Sequence, residues 1–455
     1  MARTTNWAER LSDLAVAADV TGAVLGVWAD GEQSIDAFGV LNRSTGVEVT
    51  PDAVFQIGSV TKLWTATMVM QLVDEGRLSL DDTVAELVPG ATLAAADAIT
   101  VRHLLTHTSG IDGDVFTDTG RGDDCVDRYV NQLGSAQQVF APGEAYSYCN
   151  AGFVVLGRII ELLDGRSWDE SLSARLIEPL GLTSTVTLPE QAILHRAAVG
   201  HTSTGQPVHL WQLPRSIGPA GLITQSAADL LTFARAQLDN GSSVFSSPAA
   251  AALVHPRVAI PAAAGGLTHV GLAWRVYDWS GRRVIGHDGL TMAQMSFLRL
   301  DPEAGLAVCL LTNSDNAPAL AQSLISETFE FHTGVGIPAS PTPAPDVEWA
   351  DLPDAGRHLG RYERAGAAID ITLAGGAATM TTQATGDRLA IAEEPTHEYR
   401  LYPGDRSGER FVVRETDDQP WVPVTFARQH DGTPYLFMSG RVTPKVTGHA
   451  VETRR

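Results

Sequence analysis

The stretch "FQIGSVTKLWTATMVMQLVDEG", Phe55–Gly76, combines two features that do not belong together in an ordinary core helix. From Leu63 to Val73 it is largely apolar, which predicts a central, buried helix rather than an amphipathic surface one. At its start stand a small hydroxyl, Ser59, and a lone cation, Lys62. Three residues of α-helix return a side chain to nearly the same face, so hydroxyl and amine would lie about one turn apart. Serine is a poor nucleophile near neutral pH and needs a base beside it. A lysine serves when burial lowers its pKa enough to leave neutral amine, and the positive end of the helix favours an anion formed there. By itself the spacing also suits a serine N-cap followed by a solvated lysine.

Outward from this helix, residues 22–57 carry short alternating runs such as "GAVLGVWAD" and "SIDAFGV", separated by Gly, Asn and Asp, which predicts a meander of strands. Helical patterning dominates from Ser59 to about Leu180, and Gly271–Ser314 returns to strands joined by turns at Ser280-Gly281 and Asp301-Pro302. Strands at both ends of a helical middle predict an α+β domain whose sheet is completed by distant segments. The segment Gly334–Asp354 has linker composition, with five prolines. Beyond it, runs such as "AIDITLA", "EYRLYPG" and "YLFMSGRV" recur between Gly and Asp turns, which predicts a small antiparallel barrel or sandwich of about 100 residues. The expected organisation is a catalytic domain over 1–335, a linker over 336–354 and a β domain over 355–455.

The chain carries 53 acidic and 32 basic residues, a net charge of −21, so its surface should repel nucleic acid and anionic membranes. Neither a signal peptide nor an apolar run of membrane-spanning length is legible, and a cytoplasmic location is expected. Cys125, Cys149 and Cys309 are odd in number and far apart, so reduced thiols are expected rather than a disulfide framework. His103 and His107 have the i, i+4 spacing of metal ligands but lack a third ligand, and no metal or cofactor is expected. The acidic loop Asp112–Asp124 reads as a solvated rim, with selection of cationic substrates as the alternative.

Two further stretches change the weight of Ser59 and Lys62. "APGEAYSYCNAGFVVLGRIIELLDG" places Tyr148 and Asn150 just before an apolar helix, and "IGHDGLTMAQMSF" places His287-Asp288-Gly289 in the late strand region. With Ser59-Val-Thr-Lys62 these resemble the three signature boxes of the penicillin-recognising serine enzymes, the family of class C β-lactamases, D,D-peptidases, D-aminopeptidases and related esterases. "TVRHLLTHTSGI", "IEPLGLTSTV" and "GPAGLITQSAADLLTFA" fit the same resemblance, which runs over roughly residues 15–330.

The resemblance implies a β-lactamase/transpeptidase-like domain, an antiparallel sheet flanked by helices. It implies Ser59 as nucleophile, with Lys62 and Tyr148 sharing the proton transfers. Asn150 would hydrogen-bond the substrate's amide and steady Lys62. His287 would occupy the place of the lysine in the family's Lys-Thr-Gly box, Gly289 would let substrate lie flat along the strand, and Leu290 would supply the second oxyanion-hole N–H beside that of Ser59. His-Asp-Gly and Tyr-Cys-Asn depart from the usual Lys-Thr-Gly and Tyr-Ser-Asn, which argues against a resistance β-lactamase.

Two subgroups with a β-rich tail remain: the D-aminopeptidase and alkaline D-peptidase group, and the penicillin-binding-protein-type thioesterases, which cyclise nonribosomal peptides. The second resemblance is the closer, because it continues into a lipocalin-like tail. It implies a small peptide or acyl substrate, and a carrier protein of a nonribosomal peptide synthetase as a further partner. Arg441, near the last predicted strand, would bind a peptide carboxylate or carbonyl, its alternative being a surface arginine on a barrel edge. A D-stereospecific peptidase, carboxylesterase or β-lactamase-like hydrolase stands as the alternative function, and a non-catalytic ligand-binding member of the fold as a lesser one.

Overall fold

Strand residues alternate between two faces, and the paired strands Gly22–Ala29 and Leu306–Thr312 use both faces apolarly. Ala23, Leu25, Val27, Leu306, Val308 and Leu310 point into one buried cluster, while Val24, Ala307, Cys309 and Leu311 point into another. Such a strand pair belongs at the centre of a sheet covered on both sides. It takes the third and fourth places, inside a nine-stranded antiparallel sheet ordered Val47–Glu48, Glu32–Asn42, Gly22–Ala29, Leu306–Thr312, Met295–Asp301, Arg282–Leu290, Arg275–Trp279, Leu267–Val270, Val258–Ala259. The expected joining of N-terminal and late strands is therefore present. Helices Trp7–Ala17 and Ala317–Thr333 cover one face; the helical middle of the chain covers the other. The protein is known here as a computed structural model that describes residues 5–241, 244–261, 264–390, 395–416 and 419–446.

At the heart of the helical layer lies the helix Thr61–Asp74, buried without interruption from Thr61 to Leu72. Trp64 stacks on Phe233 with ring centroids 4.0 Å apart. Ser59 does not begin this helix as expected. It sits in a 3-10 turn, Gly58–Val60, whose side chains cap nothing, so the N-cap alternative does not hold.

The C-terminal unit is an eight-stranded antiparallel meander from Gly360–Arg364 to Arg441–Pro444. Its ends meet through Tyr362 opposite Lys445 and a hydrogen bond from Val446 N to Arg361 O of 2.8 Å, which nearly closes a lipocalin-like barrel. Tyr362, Ile371, Met380, Phe411, Phe426 and Leu436 fill the interior. The stretch expected to be linker contributes Val347, Trp349 and Leu352 to that interior. Its prolines hid a plug, because the apolar residues between them are too few to show any period.

The barrel is docked on the first domain. Tyr148 N donates to Gly440 O at 2.8 Å, Val442 N to the Ser147 hydroxyl at 3.1 Å, and Ala365 N to the Asp112 carboxylate at 2.6 Å. Phe437 and Val442 pack with Phe140, Tyr146 and Tyr148 in a shared apolar cluster.

Candidate active site

The turn that carries Ser59 is clamped by backbone contacts from two directions. Ile57 N donates to Ile223 O at 2.9 Å, and the Ser296 hydroxyl donates to Ile57 O at 2.7 Å. Gly58 adopts φ +50°, and a Cβ there would lie 2.6 Å from Leu290 N, so the Leu290 main chain is pressed against the Gly58–Ser59 turn while its side chain stays exposed. A Cβ on Gly289 would overlap the Ile57 carbonyl oxygen. The space that a Cβ on Gly289 would need is thus filled by the Ile57 carbonyl beside the Ser59 turn, a reason for glycine here that stands next to its expected role of letting substrate lie along the strand.

One helical turn beyond, the fully buried Lys62 donates to the Ser59 hydroxyl at 3.1 Å and to Ala220 O at 2.6 Å. Ala220 belongs to the segment Gly218–Gly221, wedged between the helices Thr61–Asp74 and Asn150–Asp164. Thr65 Oγ1 donates to Pro219 O, and any Cβ on Gly157 would strike the Pro219 ring. Burial lowers the Lys62 pKa well below the ordinary lysine value; Arg441 and Arg275 lower it further, against an opposing pull from Asp114. The shift favours the neutral amine.

Tyr148 is buried, and its hydroxyl approaches Ser59 without closing a hydrogen bond. Burial raises its pKa although Arg275, Ser59 and Arg441 oppose this, so the phenol stays protonated. Its ring is sandwiched: His107 stacks at 4.3 Å between centroids, the Arg441 guanidinium lies 4.9 Å from the centroid and Lys62 Nζ 5.0 Å. His107 accepts from Cys149 N at 3.0 Å through Nδ1, and His103 closes the cap of its own short helix, so both histidines have structural partners.

His287 is buried, with its ring centroid 6.0 Å from that of Tyr148. Its Nδ1 lies 2.6 Å from Asp288 O, which can only accept, so Nδ1 carries the proton and the unpartnered Nε2 is an acceptor. Burial and the nearby Arg275 keep this imidazole neutral. A neutral acceptor thus stands where the family's third box has a cation.

Asn150 is buried beside Tyr148 but does not steady Lys62; its Nδ2 donates to Asp114 Oδ1 at 2.9 Å, and Lys62 takes Ala220 O instead. Arg441 is no free edge arginine. Its Nε and Nη2 grip Asp114 at 2.6 and 3.1 Å. Asp112 and Asp114 are accordingly buried, against the expected solvated rim, because the barrel covers them. Asp114, Arg364, Arg275 and Ala220 were not singled out from the sequence. Only the "GPAG" of the family-like stretch pointed at the last, and Asp114 lay unmarked in a loop of many acids.

The geometry of a hydroxyl, a neutral amine and a neutral phenol on one cleft floor accords with comparisons to known proteins. Residues 7–330 match the Beta-lactamase family. The chain belongs to the β-lactamase family. Within it, the chain is 42% identical to Penicillin-binding protein 4 of Amycolatopsis lactamdurans over 380 residues, 80% of this chain and 98% of that one. The crystal structure of SurE matches 97% of the chain, and 98% of SurE, with a TM-score of 0.78 and 30% identity. An octameric penicillin-binding protein homologue from Pyrococcus abyssi shares the fold over 95% of the chain and 98% of its own, with a TM-score of 0.64 and 23% identity. A β-lactamase-family member of this kind is a serine hydrolase or acyl-transfer enzyme. Among the described residues no helix is long and apolar enough to cross a membrane.

Proposed function

We propose that this β-lactamase-family enzyme works through an acyl-enzyme on Ser59 and releases or cyclises a peptide delivered as a thioester or ester by a nonribosomal assembly line. Neutral Lys62 takes the Ser59 proton as Oγ attacks the carbonyl carbon. The oxyanion is received by the Ser59 and Leu290 N–H groups, and the proton held by Lys62 passes through the Tyr148 hydroxyl to the departing thiol or alcohol. An amine, including the peptide's own N-terminus, or water then attacks the ester, gives its proton to the same Lys62–Tyr148 pair, and Ser59 Oγ takes that proton back as it leaves.

The observation that carries the peptidyl reading is the seat of Arg441 on the Tyr148 ring. With His287 neutral, Arg441 of the barrel joins Arg275 as cationic charge beside Tyr148, suited to the carboxylate or carbonyl of a peptide substrate. The likeness to SurE spans barrel as well as catalytic domain, and SurE has been crystallised with D-Leu, which supports a donor with a D-residue at the scissile carbonyl. A carrier protein bearing that donor is the matching partner. The 42% relationship to a penicillin-binding protein favours a second reading, acylation of the same serine by a β-lactam.

Intact-mass spectrometry of wild type and Ser59→Ala tests this, using a peptidyl thioester ending in a D-residue, a p-nitrophenyl acyl ester and benzylpenicillin. A Ser59-dependent adduct that resolves to cyclic peptide is expected. Resolution to free acid alone selects a D-peptidase or esterase, a lasting penicilloyl adduct selects the second reading, and no adduct from any donor defeats the acyl-enzyme reading.

A further inference from the structure

Asp114 lies outside the three family-like boxes, yet its carboxylate is the most heavily engaged acid at the cleft. Oδ1 accepts from Asn150 Nδ2 at 2.9 Å and from Arg441 Nη2 at 3.1 Å; Oδ2 accepts from Arg441 Nε at 2.6 Å and from Arg364 Nη1 at 2.7 Å. Four donors occupy the four lone-pair positions that a carboxylate offers. Its side chain is 3% exposed. Burial favours the protonated acid, but Arg441 and Arg364 outweigh it and hold Asp114 ionised.

The donors come from two domains. Arg364 ends the first barrel strand, Gly360–Arg364, and Arg441 begins the last, Arg441–Pro444, so both edges of the barrel's closure converge on one acid of the catalytic domain. The neighbouring Asp112 takes Ala365 N at 2.6 Å and holds the first of these hairpins in place. The third partner, Asn150, is one of the residues expected to meet substrate. An ionised carboxylate only accepts, so it must face the NH2 end of the Asn150 amide, which turns the Asn150 carbonyl oxygen to the other side.

We infer that Asp114 is a positioning residue that links the seating of the barrel to the orientation of Asn150, so that amide-bearing substrates depend on it far more than simple esters do. Held by two arginines, it fixes the Asn150 carbonyl as the acceptor for a substrate N–H. A peptidyl donor uses that acceptor; a simple acetyl ester has no N–H to offer it. This rests on the acyl-enzyme reading above.

The test compares acylation and turnover of p-nitrophenyl acetate with those of a peptidyl thioester, in wild type, Asp114→Asn, Asn150→Ala and the double variant. In Asp114→Asn, kcat/KM for the peptidyl thioester should fall about 30-fold or more while acetylation of Ser59 changes by less than about fivefold. Asn150→Ala should lose at least as much on the peptidyl thioester, and the double variant should lose little beyond Asn150→Ala alone, because the two residues act as one unit. Arg364→Gln, which touches Asp114 from the barrel side only, should show a smaller loss with the same selectivity, and it decides the matter if Asp114→Asn does not fold. Equal losses on both substrates in Asp114→Asn, or additive losses in the double variant, would overturn the inference while leaving the acyl-enzyme intact. A wild type that forms no Ser59 adduct from either substrate would overturn both.

Discussion

Lys62 Nζ lies 3.1 Å from Ser59 Oγ, and the same nitrogen is anchored at 2.6 Å to the carbonyl of Ala220, 158 residues away in sequence. The pairing needs two scales of structure at once. One helical turn brings amine and hydroxyl to the same face, while a wedge of four residues between two core helices supplies the acceptor that fixes the amine's direction. Burial then removes the charge that would prevent the amine from acting as a base.

Removing the nucleophile should leave the fold alone. Ser59 is only half-buried and caps no helix, so Ser59→Ala should shift stability by less than about 1 kcal/mol and abolish every covalent adduct. Thermal denaturation and intact mass measure the two effects, and turnover at a rate near that of wild type would remove Ser59 from its proposed role.

The lowered Lys62 pKa makes a signed prediction. In the unfolded chain a lysine holds its proton up to about pH 10.4, whereas the folded protein releases it far lower. Between those values the unfolded state binds more protons, so this group's contribution to stability rises with pH across the window. Lys62→Met deletes the dependence: wild type should gain on the variant in denaturant midpoint as pH goes from 7 to 10. The variant should also lose about 10²–10⁴-fold in Ser59 acylation, the range expected for a positioned base. A stability difference independent of pH would mean that Lys62 is charged in the folded protein.

Gly289→Ala would drive a methyl group into the Ile57 carbonyl and toward the Ser296 hydroxyl that donates to it. Neither the strand Arg282–Leu290 nor the turn Gly58–Val60 has room to yield, so the change should cost about 1–3 kcal/mol. It should also displace Ser59, lowering acylation by all donors alike, including the smallest. Loss confined to bulky peptidyl donors would leave Gly289 with the role of substrate platform alone.

Thiol chemistry should be silent in the native protein. Cys125, Cys149 and Cys309 are all buried, and burial pushes their pKa values up to about 11, 11 and 12, which leaves little thiolate at pH 7.5. Iodoacetamide should add nothing to the folded chain and three carbamidomethyl groups after denaturation, counted by intact mass. Cys149 Sγ accepts from Gly152 N at 3.2 Å as the cap of the helix Asn150–Asp164. A serine hydroxyl can do the same, so Cys149→Ser should keep turnover within about threefold.

What was legible in the chain was whatever repeats over a short distance. The 3.6-residue period brought Ser59 and Lys62 together, short runs between turn residues marked strands at both ends of a helical middle, and the Tyr148-x-Asn150 and His287-Asp288-Gly289 boxes gave the family. Misread features were those whose meaning depends on a distant neighbour. Asp112 and Asp114 looked like solvent-facing acids because the arginines that take Asp114, Arg364 and Arg441, lie 250 and 327 residues away in sequence.

The amino-acid sequence by itself thus determined the pairing of Ser59 with Lys62, the family and the presence of a second, β-rich domain, because local periodicity and short motifs encode these. Tertiary structure alone decided that Arg441, 327 residues from Asp114, closes on it beside Tyr148, that Ala220 rather than Asn150 holds Lys62, and that Gly289 yields its space to Ile57. Each is a contact between segments that meet only when the barrel docks and the core helices pack, and no pattern along a single stretch of chain carries such a contact.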